Sequence, residues 1–441
     1  GIQDPARHHR ARTVVKGKID ALFFGKGKRR LRKDGARAQM RRQNKERRQK
    51  DHERNVFFLH IPSLGNFYKN IYFFPRVCYN RQEKARKRAQ EENNGMISTR
   101  IFGKTQDGRE VLAFDFTDGK NRATVLNYGG IIQSIVVPDR NGNPTDVILG
   151  YNDVAGYENN GGYLGALIGR FGNRIGEGKL TIDGKTYQLY CNDRGNHLHG
   201  GKFGFNTKIW AHEVVGDELR LSIVSPDGEE NYPGTLKVRV TYIFENAEMR
   251  IHYSATTDKK TAVNLTNHAY FNLNGESDGS ILDNILWIDC DEITPTNPTM
   301  IPVGGFRKVA GTPFDFNVPK PIGRDIGADD VDLRQGNGYD HCHVLKNKCG
   351  IYAKYATVVG PKSGIRMTCR TDMPAVQFYA GNGLSQQGKT TFYNNRAGFC
   401  LETQAIPNNV NVPEYAARGS SFLAPGDEYE FTASYQFDLA E

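Results

Sequence analysis

Side chains able to move protons or to hold a polyhydroxylated ligand gather in five short stretches. They are "GRFGNR" at 169–174, "NHLHGG" at 196–201, "NLTNHAYFNL" at 264–273, "GYDHCHVL" at 338–345 and "GFCLETQ" at 398–404. Gly lies in or beside each of them, and Gly lets a backbone turn sharply or approach a ligand closely. Every stretch also has a purely structural reading. "GRFGNR" can be a surface turn with solvated arginines, "NHLHGG" a strand end, and Asp340 a cap on loop backbone. His268 can be a structural histidine satisfied by Asn264, Asn267 and Asn272. Glu402 follows an apolar run, so it is expected to be buried. A buried carboxylate is costly unless paired, and its pKa rises. That makes it a general base near neutral pH. Five such stretches in one domain point to a collective site.

Two chemistries compete for that inventory. His197 with His199, and His341 with His343, form HxH pairs. Residues i and i+2 of a strand share a face, so either pair could hold Zn²⁺. The spacing is common, no third ligand stands out, and the reading adopted is that no metal is bound. The alternative is acid/base catalysis by one Glu and one His, with Arg, Asn and Asp holding a sugar. Sugar hydroxyls need donors and acceptors, and apolar sugar faces rest on aromatics such as Tyr270 or Phe271.

The elements that must position these groups read as strands. "KLTIDGKTYQL" is a hairpin turning at Asp183-Gly184. Leu236, Val238, Val240 and Tyr242 alternate strictly, as do Tyr429, Phe431, Ala433, Tyr435 and Phe437. "NLTNHAYFNLNG" also reads mostly as strand, bounded by Asn and Gly. Helical stripes are absent and no repeat of fixed period occurs. Many short alternating strands argue for an all-β protein, a large antiparallel β-sandwich.

Charge divides the chain. Residues 1–95 carry 26 Lys and Arg against 9 Asp and Glu, a net of +17, which leaves −7 for residues 96–441. The leader has few apolar residues over its first half, and residues 55–80 are too short for a core. It is expected to be a basic, disordered extension. Only this leader could grip nucleic acid; the body gives no such hint. Glu91-Glu92-Asn93-Asn94-Gly95 can be encoded by purine-rich codons, as a translated ribosome-binding site would be. The leader is therefore readable as a gene-model artefact. No apolar run reaches membrane-spanning length and no secretory signal is evident. Seven irregularly spaced cysteines without CxxC suit a reduced, cytoplasmic protein. Nothing chooses between a monomer and a homodimer.

From about residue 96 to 440, the stretches above, with "SPDGEENYPG" and "QFYAGNGL", resemble the aldose 1-epimerase family, the galactose mutarotases, in order and spacing. The resemblance implies a β-sandwich domain over 96–441. It also implies a cofactor-free isomerase that interconverts the α and β anomers of free aldohexoses such as glucose and galactose. It implies Glu402 as base, His268 as acid, and Asn173, Arg174, His199, Tyr270, Asp340 and Gln377 as sugar-holding groups. Two departures bear on the sugar preferred. Ala405-Ile406-Pro407-Asn408 stands where His-Phe-Pro-Asp is common, and His343 where Phe is usual. A hexose-6-phosphate 1-epimerase stays open as an alternative, with Arg170 and Arg194 as its candidate phosphate ligands. So does a non-catalytic sugar-binding module on the same fold.

Overall fold

The structure, a computed structural model, describes residues 97–441. The basic leader, the disorder expected of it and Cys78 lie outside the described residues. Alternation of apolar and polar residues makes strands, and three sheets collect most of them. The largest has nine strands in the order Ala211–Val215, Glu218–Ser225, Leu236–Glu245, Glu248–Thr257, Tyr429–Leu439, Ile365–Thr371, Ala353–Val359, Ile285–Ile288, Lys320–Pro321. A five-stranded meander runs from Ser98–Lys104 to Pro144–Asp146 in chain order. The third sheet has the order Arg307–Lys308, Cys290–Ile293, Asp340–Leu345, Ala375–Tyr379, Cys400–Gln404. Neighbouring strands within all three pair antiparallel, as the turn-rich sequence requires.

The apolar faces of the three sheets meet in one core. Leu236, Val238, Val240 and Tyr242 are buried on one side of their strand while Lys237 and Arg239 face solvent. Each such side chain gains roughly 1.5–3 kcal/mol over exposure. Phe431, Ala433, Tyr435 and Phe437 do the same in the last strand. Tyr435 also donates its hydroxyl to the Leu401 carbonyl at 3.2 Å. That bond ties the large sheet to the strand that carries Glu402. The hairpin at 179–188 forms as expected, with Ile182 opposite Lys185. Asp183 and Gly184 take φ of 49° and 80°, the left-handed pair a two-residue turn demands.

The strand expected over 264–273 is only partly one. Thr266–Asn267 pairs with Leu167–Ile168, and the rest changes partner at every step. Asn264, His268, Phe271 and Asn272 send their N–H groups to the carbonyls of Arg170, Ala166, Phe399 and Val147. The three asparagines supply what a ladder would have. Asn264 bonds Gly172, and Ala405 through both its N–H and its carbonyl; Asn267 bonds Gly165 and Ala269; Asn272 bonds Ser280, Ala397 and Asn274. Backbone groups buried without a ladder must find such partners. The amides beside His268 therefore fix the backbone that carries it, not its ring.

Candidate active site

The third sheet and the pinned segment build one cleft. Directly opposed residues of an antiparallel pair project to one face. Asp340 stands opposite Tyr379, and Tyr379 opposite Cys400; in the next row Gln377 stands opposite Glu402. One face of the sheet thus gathers Asp340, Tyr379, Gln377 and Glu402. His268 and Tyr270 arrive from the pinned segment, and Asn173, Arg174 and His199 from the paired stretches Arg174–Ile175 and His197–Leu198. The enclosed space is about 300 Å³ and is lined by Asn173, Arg174, His199, His268, Tyr270, Asp340 and Glu402 among others. That volume suits one monosaccharide.

Gln377 sits behind this lining. Its Nε2 donates to Asp340 Oδ1 at 2.7 Å, so it holds the carboxylate in place. Arg174 Nε donates to Asp193 Oδ2 at 2.8 Å, which fixes the guanidinium at the cleft wall. His199 has φ of 51° because the chain must leave its short strand there. The following Gly200 has no room for a Cβ, which would lie 1.8 Å from the Gly169 carbonyl oxygen. The turn delivers His199 to the cleft, and its Nδ1 accepts the Asn173 N–H at 3.1 Å. The neutral ring's proton is therefore on Nε2.

At the cleft floor His268 Nε2 lies 3.6 Å from Glu402 Oε1, and both side chains are almost fully buried. Burial pushes the Glu402 carboxyl well above its ordinary range, helped by the Asp340 charge and opposed by Arg174. Burial also pushes His268 down to about 4, opposed by Asp340. Loss of hydration disfavours the charged form of each. Glu402 Oε2 and Gln377 Oε1 are buried without a protein partner; of the two only Glu402 lines the cleft, where a sugar hydroxyl can satisfy it. Tyr270 stacks on His268 with centroids 5.1 Å apart and donates its hydroxyl to the Gly162 carbonyl.

Several alternatives that the sequence left open are not supported. The two HxH pairs are not built as ligand pairs. His197 is fully buried, accepts from Tyr232 OH at Nε2 (2.6 Å) and donates from Nδ1 to the Tyr190 carbonyl, while the turn sends His199 elsewhere. His341 and His343 lie on the far face of their strand, against Phe314, Phe316 and Phe378. Phe271 is packed against Phe399 and Tyr435 in the core rather than offered to a ligand. Arg170 is not solvated. It is 2% exposed, and its guanidinium donates to Ser225, Pro226, Pro233 and Gly234, which leaves nothing for a phosphate. The donor atoms that do converge belong to His199, His268 and Glu402, within 4.8 Å of one another. Their spacing suits a cation, but ligation at His199 Nε2 would move the proton to Nδ1, against the Asn173 N–H. The set does not favour a metal.

Cleft residues not assigned from sequence include Tyr163, Met300, Gln335, Asn337, Tyr379 and Asn382. Tyr379 was legible, two residues after Gln377 and so on the same face. Tyr163 follows Gly161-Gly162, the same glycine signal that marks the other stretches. Asn337 and Asn382 each stand in Gly-Asn-Gly, at 336–338 and 381–383, and carry the same mark; Met300 comes from a loop that does not.

Known proteins share this chain's sequence and fold. Residues 113–436 match the family model "Aldose 1-epimerase". The chain is 39% identical over 350 residues to human galactose mutarotase, covering 78% of this chain and 99% of that protein. It is 36% identical over 319 residues to the aldose 1-epimerase of Escherichia coli K12, covering 71% and 91%. Among solved structures, galactose 1-epimerase from Lactobacillus acidophilus NCFM superposes with a TM-score of 0.69 at 27% identity, covering 78% of this chain and 99% of that one.

Proposed function

The chain belongs to the aldose 1-epimerase family, and on that premise we propose that it interconverts the anomers of free aldohexoses such as glucose and galactose, with Glu402 as base and His268 as acid. The observation that carries the residue assignment is the buried Glu402–His268 pair at 3.6 Å on the cleft floor. A base takes the C1 hydroxyl proton while an acid protonates the ring oxygen. The C1–O5 bond breaks and a free aldehyde forms. Rotation about C1–C2 presents the other face, and the ring closes with the proton roles reversed. Each positioned group contributes roughly 10²- to 10⁴-fold.

The pair needs one proton, not two. Burial favours the neutral form of each member, raising Glu402 and lowering His268. The carboxylate–imidazolium form holds the same number of protons and differs by one transfer across the pair. Arg174 beside Glu402 favours the carboxylate and Asp340 beside His268 favours the imidazolium, while the same Asp340 charge opposes the carboxylate; sugar hydroxyls add dipoles to the charged form. Asn173, Arg174, His199, Tyr270 and Asp340 hold the sugar, and Gln377 acts through Asp340. His199 Nε2–H is a ready donor to a sugar oxygen.

Among the described residues no helix is long and apolar enough to cross a membrane, and the six cysteines there are free. Both suit the cytoplasmic location we propose. Polarimetry on fresh α-D-glucose and α-D-galactose tests the activity: rotation should relax faster with protein than without, and equally fast after treatment with EDTA. No acceleration on any free aldose would overturn the reading. Loss with chelator, restored by Zn²⁺, would move the assignment to the His199–His268–Glu402 donor set.

A further inference from the structure

Three tyrosines line the cleft, and they differ in what their hydroxyls do. Tyr270 donates to the Gly162 carbonyl at 2.9 Å and Tyr379 to the Asn382 carbonyl. Tyr163 is partly exposed at the cleft wall, and its hydroxyl has no hydrogen-bond partner among the described residues. Its ring centroid stands 4.8 Å from that of His199 and 5.8 Å from that of His268. The backbone is strained to put it there. Tyr163 has φ of 59°, a left-handed conformation unfavourable for any residue with a Cβ and rare for a bulky one. Glycine takes it freely, and Gly161 and Gly162 stand directly before it. The loop holds the conformation in place. The Asn160 carbonyl accepts the Tyr163 N–H, the Tyr163 carbonyl accepts the Ala166 N–H, and the Asn160 side chain bonds both backbone groups of Leu164. A bulky residue held in strain beside a cleft points to a use for its side chain.

We infer, on the reading of this cleft as a monosaccharide site, that Tyr163 is a sugar-binding residue whose hydroxyl pairs with one sugar hydroxyl away from C1 and so helps to set which aldoses the cleft accepts. A phenol O–H both donates and accepts, as a sugar hydroxyl does. Burial lifts the Tyr163 phenol above its ordinary range, so it keeps its proton at neutral pH. The charges that act on it are those of Asp193 and Arg174, whereas Glu402 and Asp340 act on Tyr270 and Tyr379. The Tyr163 hydroxyl therefore faces the Arg174 wall rather than the carboxyls at the floor. Glu402 takes the proton of the C1 hydroxyl, so the hydroxyl that reaches the wall is one carried by C2, C3, C4 or C6. No proton of the reaction passes through Tyr163, and its effect falls on binding. A site that hydrogen-bonds one hydroxyl discriminates against the analogue lacking it.

The test compares the full chain with Tyr163→Phe, which keeps the ring, its packing and the backbone and removes only the hydroxyl. Anomer exchange followed by NMR gives kcat and KM, and isothermal titration gives Kd. The substrates are the faster of D-glucose and D-galactose and its 2-, 3-, 4- and 6-deoxy forms. The variant should lose about three- to tenfold in kcat/KM, as a higher KM with kcat nearly unchanged, on the parent sugar and on three of the four deoxy sugars. On the fourth the two proteins should be equal, because the hydrogen bond is already gone. An equal loss on all four would make the hydroxyl a structural group, and no loss on the parent sugar would leave it unused; either overturns the inference. So would a loss confined to kcat, which would put Tyr163 in the chemical step. A protein that binds the sugars in the expected pattern but exchanges no anomers would instead sink the mutarotase reading and leave Tyr163 as assigned.

Discussion

The third sheet presents buried histidines and their neighbours on two faces, and only one face can do chemistry. On the far face His341 and His343 lie among Phe314, Phe316 and Phe378. On the near face Asp340, Gln377 and Glu402 look toward His268 and His199. Burial depresses all four histidines, His343 to about 3 and His268 to about 4. A depressed imidazole therefore marks burial, not function. What separates the faces is the partner. His268 has a carboxyl at 3.6 Å and a cleft beside it. His343 has a backbone carbonyl at Nδ1 and no partner at Nε2. A site is a buried group with a matching acid or base and room for a ligand.

The largest effects should fall on the near face. Glu402→Gln keeps the shape of the side chain and removes the base; His268→Asn keeps a polar group and removes the acid. Each should lower kcat by at least about 10²-fold while sugar binding survives. The double variant should lose much less than the product, since the two act in one step. Steady-state polarimetry with isothermal titration of a sugar separates the two quantities. A Glu402→Gln protein of nearly wild-type rate would break the distinction between the faces and move the base to Asp340.

The same pair sets the pH profile. The active form carries one proton on the pair. On the acid side a second proton is gained, and because His268 is depressed this limb should lie below the ordinary histidine range. On the alkaline side the single proton is lost, and because Glu402 is raised this limb should lie above the ordinary carboxylate range. Both limbs belong to the pair rather than to either residue. In Glu402→Gln the residual rate should lose the alkaline limb. A wild-type profile with limbs at the ordinary values of a free carboxylate and a free imidazole would show that burial does not govern the pair.

A smaller effect is expected one layer back. Gln377→Met keeps length but removes the donor that holds Asp340. A hydrogen bond to a charged group contributes about 1.5–3 kcal/mol, and part of it is recovered by water from the cleft. The expected loss is about tenfold in kcat/KM, mostly as a higher KM. A fall in kcat alone would place Gln377 in the chemical step.

Much of this was legible from residue order. Period two puts Cys400 with Glu402 and Gln377 with Tyr379, and it also puts His341 and His343 opposite Asp340. The hairpin at 179–188 follows from Asp183-Gly184 and the alternation around it. Three things were not legible, each for a physical reason. Residues 264–273 carry strand-like alternation, but their hydrogen bonds go to distant segments, which no local pattern records. His199 leaves its strand at a turn where Gly200 packs so close to the Gly169 carbonyl that only glycine fits, a contact across 31 positions of chain. Arg170 is buried because five acceptor groups at Ser225, Pro226, Pro233 and Gly234 meet it there, and an arginine with that many partners can leave water.

The smallest expected effect falls on the far face and makes the sharpest contrast. His343 is fully buried and leaves Nε2 without a partner. Its folded pKa is depressed to about 3 from the ordinary 6.5. Below about 6.5 the unfolded chain takes up a proton that the native ring refuses, so this residue costs stability as pH falls, down to about 3. His343→Phe removes that cost and places an aromatic ring among Phe314, Phe316 and Phe378. At pH 7.5 the change should be small, about 1 kcal/mol or less in favour of Phe. Below pH 6.5 the gap between variant and wild type should widen by about 1.4 kcal/mol per pH unit. Other buried histidines titrate equally in both proteins and cancel. The rate of mutarotation should not change, because the ring faces away from the cleft. Thermal midpoints of the two proteins between pH 4.5 and 8 read the effect directly. If the larger ring overfills the site, the variant is less stable by the same amount at high pH, and the widening toward low pH still appears. A gap that stays constant with pH would mean that His343 is protonated in the native state, and that the far face is not the dry surface the packing describes.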